Sequence, residues 1–379
     1  MAATPSPSLL YHFRGLPDPR RQTKNKRHLL LDILAIALCT LIAGGESAVD
    51  MQEYGRRKQP WLRQFLALPN GIPSHDTFSR VLAALDPRAF HDCFARWVAA
   101  LHELSGGEVV SLDGKTLRRS FDRAKGLPPL HLVSAWVAEN RLVLGQVAVD
   151  GKSNEITAVP RLLEILELTG AIVTLDAMGC QKEVAAQVRA KGADYVLAVK
   201  DNQPHLYEDL AAHFQELLDD EAALPRRQRY HTREVNRGRL EERFHYSTPV
   251  PQGLRNQEAW ADLASVGWVV TITQRGGETL SEVRAYVSSL RPDARRLAKA
   301  VRQHWGIENS QHWVLDVVFG EDQCRARAGH EAENLALLRR LALSLLRQEP
   351  TPMPSVRVKR RAAGWDDDLM LRILTAGTP

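Results

Sequence analysis

Cysteine is scarce in this sequence. Its 379 residues include four cysteines, which lie far apart and form no C-x-x-C pair. No histidine pair with the spacing of zinc ligands accompanies them. The pattern argues against a disulfide framework or a structural zinc site, and it favours a reducing compartment.

Long apolar runs are scarce as well. The run that stands out, LLLDILAIALCTLIA at residues 29–43, follows a basic stretch, as the core of a secretion signal would. It lies well inside the chain, contains Asp32 and is shorter than the roughly 20 residues that a membrane span needs. Because its apolar residues recur at helical spacing, we expect a buried core helix and no membrane partner.

The composition is that of a globular protein with a core. Apolar residues make up 44% of the chain and charged residues 25%, which excludes a disordered, collagen-like or polytopic membrane protein. The length corresponds to roughly two or three structural units of about 100–200 residues. The net charge of +5 is weak evidence for a polyanionic partner unless the basic residues cluster.

The basic residues do cluster, in segments 14–27, 226–243 and 357–361. The second of these contains seven arginines against three glutamates. Each segment alone is ordinary for a solvated surface. Together they suit a protein that handles DNA, because neutralising phosphates requires grouped cations.

The period of the apolar residues changes along the chain and predicts its organisation. Helical patterns at 29–43, 46–68 and 75–102 are followed by an order of strand, hairpin, helix, strand, helix, strand, which predicts an α/β sheet with a mixed edge. We predict a basic arm (1–28), a helical domain (29–105) that binds DNA ends, the first part of a catalytic core (106–222), a β-rich insertion (223–290), the C-terminal part of the core (291–347) and a basic tail with a short helix (348–379).

Three acidic residues stand out by their position in these patterns. Asp113 is predicted to end the first strand, Asp176 to end the strand after the first crossover helix, and Glu308 to lie in a late helix. Ligands gather at the carboxyl ends of strands in an open α/β sheet, so the two aspartates would share an edge if their strands are neighbours. A helix across that edge would bring a third carboxylate.

Such a cluster makes chemical sense around cations. Like charges repel, and hard oxygen ligands suit Mg²⁺ or Mn²⁺, a pair of which can promote phosphoryl transfer. The alternative is that each aspartate is an ordinary turn residue after a strand, since such acids are common there. The residues alone leave both possibilities open.

Several long phrases resemble the insertion-sequence transposases of the DDE class, in the group that includes the H-repeat-associated proteins. They follow the family's order and span nearly the whole chain. The phrases are LPNGIPSHDTFSRV (68–81), VVSLDGKTLRRS (109–120), HLVSAWVAEN (131–140), KSNEITAVPRLLE (152–164), VTLDAMGCQKEVA (173–185), GADYVLAVKDNQP (192–204), HWGIENSQHWVLDVVFGED (304–322) and ENLALLRRLAL (333–343).

The resemblance implies a fold and an activity. It implies an α/β chain, α+β overall, with a ribonuclease-H-like catalytic core, and Asp113, Asp176 and Glu308 as its metal-binding catalytic triad. It also implies Mg²⁺, with Mn²⁺ as a substitute, double-stranded DNA at element ends and target, and a homodimer on DNA. A small-molecule substrate is not expected, and the location would be cytoplasmic, with the bacterial nucleoid.

The sequence departs from the family pattern at two places. Asp201 stands where the family has glycine, which adds negative charge to a loop expected to face DNA. In the β-rich insertion, Asn236-Arg237-Gly238-Arg239 replaces an expected Gly-His-Gly-Arg.

Further site candidates flank the triad in sequence. Predicted DNA contacts are Lys115 and Arg118 (alternatively a solvated turn), Lys200, Asn202 and Gln203 after the last core strand, and Arg237 and Arg239 in the insertion. His304 and His312 lie one helical turn on either side of Glu308. They could assist near the metals, but packing or orienting a carboxylate is the favoured role.

Other conspicuous residues have plainer interpretations. Trp305 and Trp313 are predicted core residues, and the acidic cluster of Asp316, Glu321 and Asp322 competes weakly with Glu308 as a metal ligand. Asp366-Asp367-Asp368 resembles a metal site but is better explained as the start of a helix. The sequence thus predicts a transposase, with a catalytically idle DNA-binding relic and a nuclease that never joins strands as alternatives.

Overall fold

The computed structural model describes residues 8–22, 26–101, 104, 106–121, 126, 128–149, 155–200, 202–236 and 238–376. Its N-terminal part is helical, as predicted. The helices are α1 (Ser8–Phe13), α2 (Leu30–Ala43), α3 (Ala48–Leu62), α4 (His75–Ala84) and α5 (Pro87–Leu101). The short helix α1 lies in the segment that the sequence predicts to be irregular.

The prediction of a single helix at 75–102 is wrong, because the helical conformation is interrupted between α4 and α5. Leu85 is extended, and Asp86 precedes Pro87, whose ring disfavours helical backbone at the residue before it. Proline itself fits the first turn of α5, where no backbone donor is needed. The break lets the two helices pack separately.

A nine-stranded mixed sheet forms the centre of the molecule. Its strands are β1 (Val109–Thr116), β2 (His131–Val137), β3 (Leu142–Val149), β4 (Ile172–Leu175), β5 (Asp194–Val199), β6 (Arg229–Asn236), β7 (Arg239–Pro249), β8 (Ser265–Arg275) and β9 (Glu278–Ser288), in the spatial order β3-β2-β1-β4-β5-β9-β8-β7-β6. β1, β4 and β5 are parallel, whereas β2, β3 and β6–β9 pair in antiparallel fashion. The predicted β-rich segment therefore continues the same sheet, joined through β5 and β9.

Eight further helices connect and cover the sheet in the described part of the chain. They are α6 (Glu155–Ile165), α7 (Lys182–Ala190), α8 (Pro204–Leu218), α9 (Ala294–His304), α10 (Trp313–Val317), α11 (Glu331–Gln348), α12 (Val356–Trp365) and α13 (Asp367–Thr375). α9 packs across β1, β4 and β5, while α11 packs against α2, α4, α5 and β3. One large apolar core therefore joins the N-terminal helices, the sheet and α11.

The apolar run that resembles the core of a secretion signal forms helix α2. Its residues from Asp32 to Ile42 are buried, as predicted for a core helix. Among the described residues, no single helix is long and apolar enough to cross a membrane. Helices α2 and α3 are long and apolar enough only when they are counted as one segment, and the chain bends by 96° between them.

Candidate active site

Asp113 and Asp176 lie on neighbouring parallel strands. β1 pairs with β4, with Ser111 opposite Thr174, so the aspartates two residues further along lie at the same end of the pair. Asp113 does not end its strand as predicted, because pairing with β2 continues to Thr116. Asp176 does follow β4 directly.

The backbone that follows Asp176 orients its carboxylate. Residues Ala177–Gly179 form a single 3₁₀ turn, and Asp176 Oδ1 accepts hydrogen bonds from the amides of Met178 (3.1 Å) and Gly179 (3.3 Å). Such capping holds the side chain in one direction.

Glu308 lies in a π-helical segment, Ile307–His312, between α9 and α10. The sequence predicts an uninterrupted helical pattern here, but the wider turn inserts extra backbone and rotates the residues that follow. Such π turns occur frequently at functional sites. Glu308 is exposed on this segment.

The three acidic residues line the same cavity, of about 340 Å³, although they come from three separate elements. Lys200 and His304, both predicted site residues, also line it. Within the described residues, no group of three carboxylate, thiol or imidazole side chains is close enough together to hold a metal ion. The donor types suit Mg²⁺, but the triad is not gathered around a single point.

Two histidines support this cavity. His304 Nδ1 lies 3.0 Å from Thr174 Oγ1, and His312 Nδ1 lies 3.4 Å from Asp113 Oδ2. Burial, helped by Arg284, lowers the pKa of His304 to about 4. Burial, helped by Arg340 and Lys115, lowers the pKa of His312 to about 3. Both imidazoles are therefore neutral near pH 7, which suits hydrogen bonding and packing.

Lys115 is buried within a strand, so the alternative prediction of a solvated turn is wrong. It lies within β1 with 7% of its surface exposed, and its ammonium contacts the three acids of the predicted second cluster. The distances from Lys115 Nζ are 2.5 Å to Asp316, 3.3 Å to Glu321 and 3.3 Å to Asp322. Burial alone would lower the pKa of Lys115, but the carboxylates outweigh it and raise this pKa.

The second acidic cluster is therefore neutralised by cations. Glu321 also contacts Arg340 at 2.8 Å, and neither side chain is exposed. Burial would raise the pKa of Glu321, but Arg340 and Lys115 hold it at about 2. Arg118, in contrast, is 82% exposed in a turn, with Nε 3.2 Å from Asp322.

Side-chain hydrogen bonds connect the loop after β5 to the turn after Asp176. Asn202 Nδ2 donates to the carbonyl of Ala177 (2.5 Å), and Gln203 Nε2 donates to that of Cys180 (3.1 Å). These amides therefore have a positioning role that the sequence did not suggest. Lys200 is exposed at the cavity, whereas Asp201 lies outside the described residues.

Two arginines of the insertion, Arg239 and Arg284, lie beside the candidate site. Arg239 is half-exposed, pairs with Glu241 at 2.7 Å and lines an adjoining cavity of about 270 Å³. Arg284 and Trp305 line both cavities, with the guanidinium 4.0 Å from the indole ring centre. Arg237 lies outside the described residues. Arg284 could not be identified as a candidate site residue from the sequence, because an arginine within a predicted strand gives no indication that it lines a cavity.

Trp313 and part of the basic tail also differ from expectation, whereas Trp305 is partly buried against the core, as predicted. Trp313 is 57% exposed and is not a core residue. Lys359 and Arg360 are buried, so two of the four cations in the predicted 357–361 cluster do not face solvent. Instead the α12 cations donate to carbonyls at the ends of other helices: Arg357 to Val317, Lys359 to Leu346 and Glu349, and Arg360 to Leu41 and Val318.

The interpretation of the acidic run near the C-terminus is confirmed. Asp366 caps α13 by accepting hydrogen bonds from the amides of Asp368 and Leu369, and Asp367 pairs with Lys58 at 2.6 Å. The cysteines in the described residues are free, as expected.

The fold and site define an α/β protein with Asp113 and Asp176 on the same side of the parallel pairing between two adjacent strands. Comparison with known families identifies it further. The model described as "Transposase DDE domain" matches residues 104–345, and one described as "DDE_Tnp_1-associated" matches residues 10–98. The chain belongs to the transposase DDE domain family.

Individual relatives agree with the family. The chain is 37% identical to the "H repeat-associated putative transposase YhhI" of Escherichia coli (strain K12), over 97% of each chain. It is 39% identical to the "Putative transposase YncI" of Escherichia coli O157:H7, over 93% of this chain and 91% of the relative. These matches confirm the resemblance to H-repeat-associated transposases.

The chain also matches a solved structure at low sequence identity. It is the cryo-EM structure of the piggyBac transposase synaptic complex with hairpin DNA, matched with a TM-score of 0.39 and 10% identity. The match covers 91% of this chain and 73% of that chain.

Proposed function

We propose that this protein is a DNA transposase that cuts the ends of its own insertion sequence and joins the exposed 3′-hydroxyls to a target. The observation that carries the proposal is the cavity shared by Asp113, Asp176 and Glu308, supplied by β1, the end of β4 and the π-helical segment. The order β3-β2-β1-β4-β5 of the core strands supports a ribonuclease-H-like core.

The three carboxylates would hold Mg²⁺, or Mn²⁺ in its place. Oxygen donors fit these ions, and they would need to draw closer together than they are here. Bound divalent ions would stabilise the negative charge that develops on the attacking and leaving oxygens.

The chain's own residues prepare the site for two successive in-line displacements at phosphorus. In the first, water attacks and the 3′-oxygen leaves; in the second, that 3′-hydroxyl attacks the target phosphodiester and another 3′-oxygen leaves. No covalent protein intermediate is needed. Lys200 is exposed in the cavity and is suited to contact a phosphate oxygen.

Double-stranded DNA would extend beyond the cavity across exposed cations. Arg118 lies beyond the end of β1, and Arg239 lies in the adjoining cavity of the insertion. Because two element ends must be processed together, we propose a homodimer on DNA. The proposal implies a cytoplasmic, nucleoid-associated location in a bacterium and no small-molecule substrate.

The test is an in vitro reaction with the element's own end sequences, Mg²⁺ and a plasmid target. Asp113→Asn, Asp176→Asn and Glu308→Gln should each abolish cleavage and joining while retaining DNA binding. Glu258→Gln, an exposed residue in the 3₁₀ turn Gln257–Ala259, serves as the matched control. Retention of Mg²⁺-dependent cleavage by all three variants would refute the proposed site.

Other outcomes identify the alternatives. Nicks without joined products would indicate a nuclease. DNA binding with no cleavage under any divalent metal would indicate an idle DNA-binding protein derived from a transposon.

A further inference from the structure

One face of β1 contacts the helical segment that carries Glu308. Alternate residues of a strand point to the same side of the sheet, so Ser111, Asp113 and Lys115 share this face. Their contacts are Ser111 Oγ with the carbonyl oxygen of Gln303 (3.5 Å), Asp113 Oδ2 with His312 Nδ1 (3.4 Å) and Lys115 Nζ with Asp316 Oδ1 (2.5 Å).

These contacts bracket Glu308. Gln303 lies in α9 before the π-helical segment, and Asp316 lies in α10 after it. Among these three contacts of the described residues, the one between Lys115 and Asp316 joins two oppositely charged side chains. It involves no residue of the proposed triad. It therefore fixes the far end of the segment to the strand that carries Asp113.

The surroundings of Lys115 make this attachment specific. Its ammonium also lies 3.3 Å from Glu321, which is fully buried and paired with Arg340 of α11. Arg340 in turn lies 3.3 Å from Ser134 Oγ of β2, and Ser134 is the strand partner of Asp113. The network thus joins β1, β2, α10 and α11.

A direct contact between Lys115 and DNA is inconsistent with this placement. Its side chain is 6% exposed and has three carboxylates around its ammonium. Reaching a phosphate would leave those acids without their shared cation, at a large electrostatic cost.

We propose that Lys115 is a positioning residue, which sets the separation of Asp113 and Glu308 by anchoring α10 to β1. The inference rests on the proposed function, since that separation matters for activity only if both carboxylates act together. The anchor itself is a property of the folded chain and can be measured without metal or DNA.

The first measurement is amide hydrogen exchange of the full-length protein. Lys115→Met and Asp316→Asn should accelerate exchange in peptides covering 307–317 on the order of tenfold, with little change in α2. Lys115→Arg should restore much of the protection. Lys58→Met, which removes the 2.6 Å ion pair with Asp367 between α3 and α13, is the matched control and should leave 307–317 unchanged.

The second measurement is the Mg²⁺ dependence of cleavage. Lys115→Met should raise the Mg²⁺ concentration for half-maximal cleavage by about 10- to 100-fold, with the Kd for DNA unchanged. Unchanged Mg²⁺ dependence, or exchange that rises equally in α2, would overturn the inference. If the wild type does not cleave, the proposed function fails, while the exchange experiment still supports or overturns the anchor.

Discussion

His312 Nδ1 lies 3.4 Å from Asp113 Oδ2, across the boundary between the π-helical segment and β1. Because burial lowers the pKa of His312 to about 3, the ring is neutral near pH 7. A neutral imidazole can direct a carboxylate without cancelling its charge. Such a contact would position Asp113 for the metal-dependent reaction proposed above.

Replacing His312 with phenylalanine should therefore impair the reaction more than binding. The ring volume is retained while the nitrogen beside Asp113 is lost. We expect kcat for cleavage to fall about 10- to 100-fold with little change in the Kd for DNA. His205→Phe, on the exposed side of α8, is the control. An unchanged kcat in His312→Phe would show that Asp113 needs no support from this ring.

The strands that carry the site could be predicted from the sequence. VVSLDGKT and AIVTLDA are short β-rich runs that end near an aspartate, and their parallel pairing follows from the crossover helix between them. The end of β1 could not be located, because pairing with β2 carries the strand through Asp113 to Thr116. Strand ends depend on partners that the local pattern does not contain.

The π-helical segment and the buried cations could not be predicted. A helical period describes 291–318 well, and the contact of Ile307–His312 with β1 through His312 and Asp113 is not visible in that local pattern. Lys115 and Arg360 appear in the sequence as surface cations because their partners lie far away along the chain. The acidic run at Asp366, in contrast, is a local feature and was interpreted correctly.

Gly306 allows the segment before Glu308 to approach the sheet closely. A Cβ atom at this position would lie 2.8 Å from the ring of Trp136, which is buried in β2. Gly306→Ala should therefore displace the segment and cost about 1–3 kcal/mol of stability, together with cleavage activity. Urea unfolding and the cleavage assay measure the two effects. Gly15→Ala, where a Cβ meets nothing within 4 Å, is the control, and equal behaviour of the two variants would contradict the steric argument.

Arg360 stabilises the fold and should not contribute to DNA binding. Its guanidinium donates to the carbonyl of Leu41 at the end of α2 (2.6 Å) and lies 3.9 Å from the ring centre of Phe319. Arg360→Met should lower the free energy of unfolding by about 3 kcal/mol, because buried carbonyls lose a charged donor. Arg361→Met, one residue along on the exposed side of α12, should change it by less than about 0.5 kcal/mol.

The salt dependence of DNA binding distinguishes a structural role of Arg360 from a contact between Arg360 and a DNA phosphate. Folded Arg360→Met should bind DNA with the wild-type salt dependence. A weaker dependence of the Kd on salt would instead place Arg360 at the DNA, since each lost phosphate contact lowers that slope by about one.

Acid sensitivity should follow from the buried histidines, and His245 in β7 is one that lies outside the π-helical segment. Burial lowers the pKa of His245 from 6.5 to about 4, against a hydrogen bond with the carbonyl of Tyr230. The unfolded chain takes up this proton more readily than the folded one. The stabilisation from the neutral ring is therefore fully present above pH 6.5 and declines as the pH falls towards 4, by on the order of 3 kcal/mol.

The measurement is urea unfolding of the wild type and His245→Gln between pH 7 and pH 4.5. The variant lacks the titrating group, so its free energy of unfolding should decline less steeply over this window, even if it starts from a lower value. His205→Gln, exposed on α8, should retain the wild-type slope. Parallel curves for the wild type and His245→Gln would mean that this histidine is as easily protonated in the folded protein as in the unfolded chain.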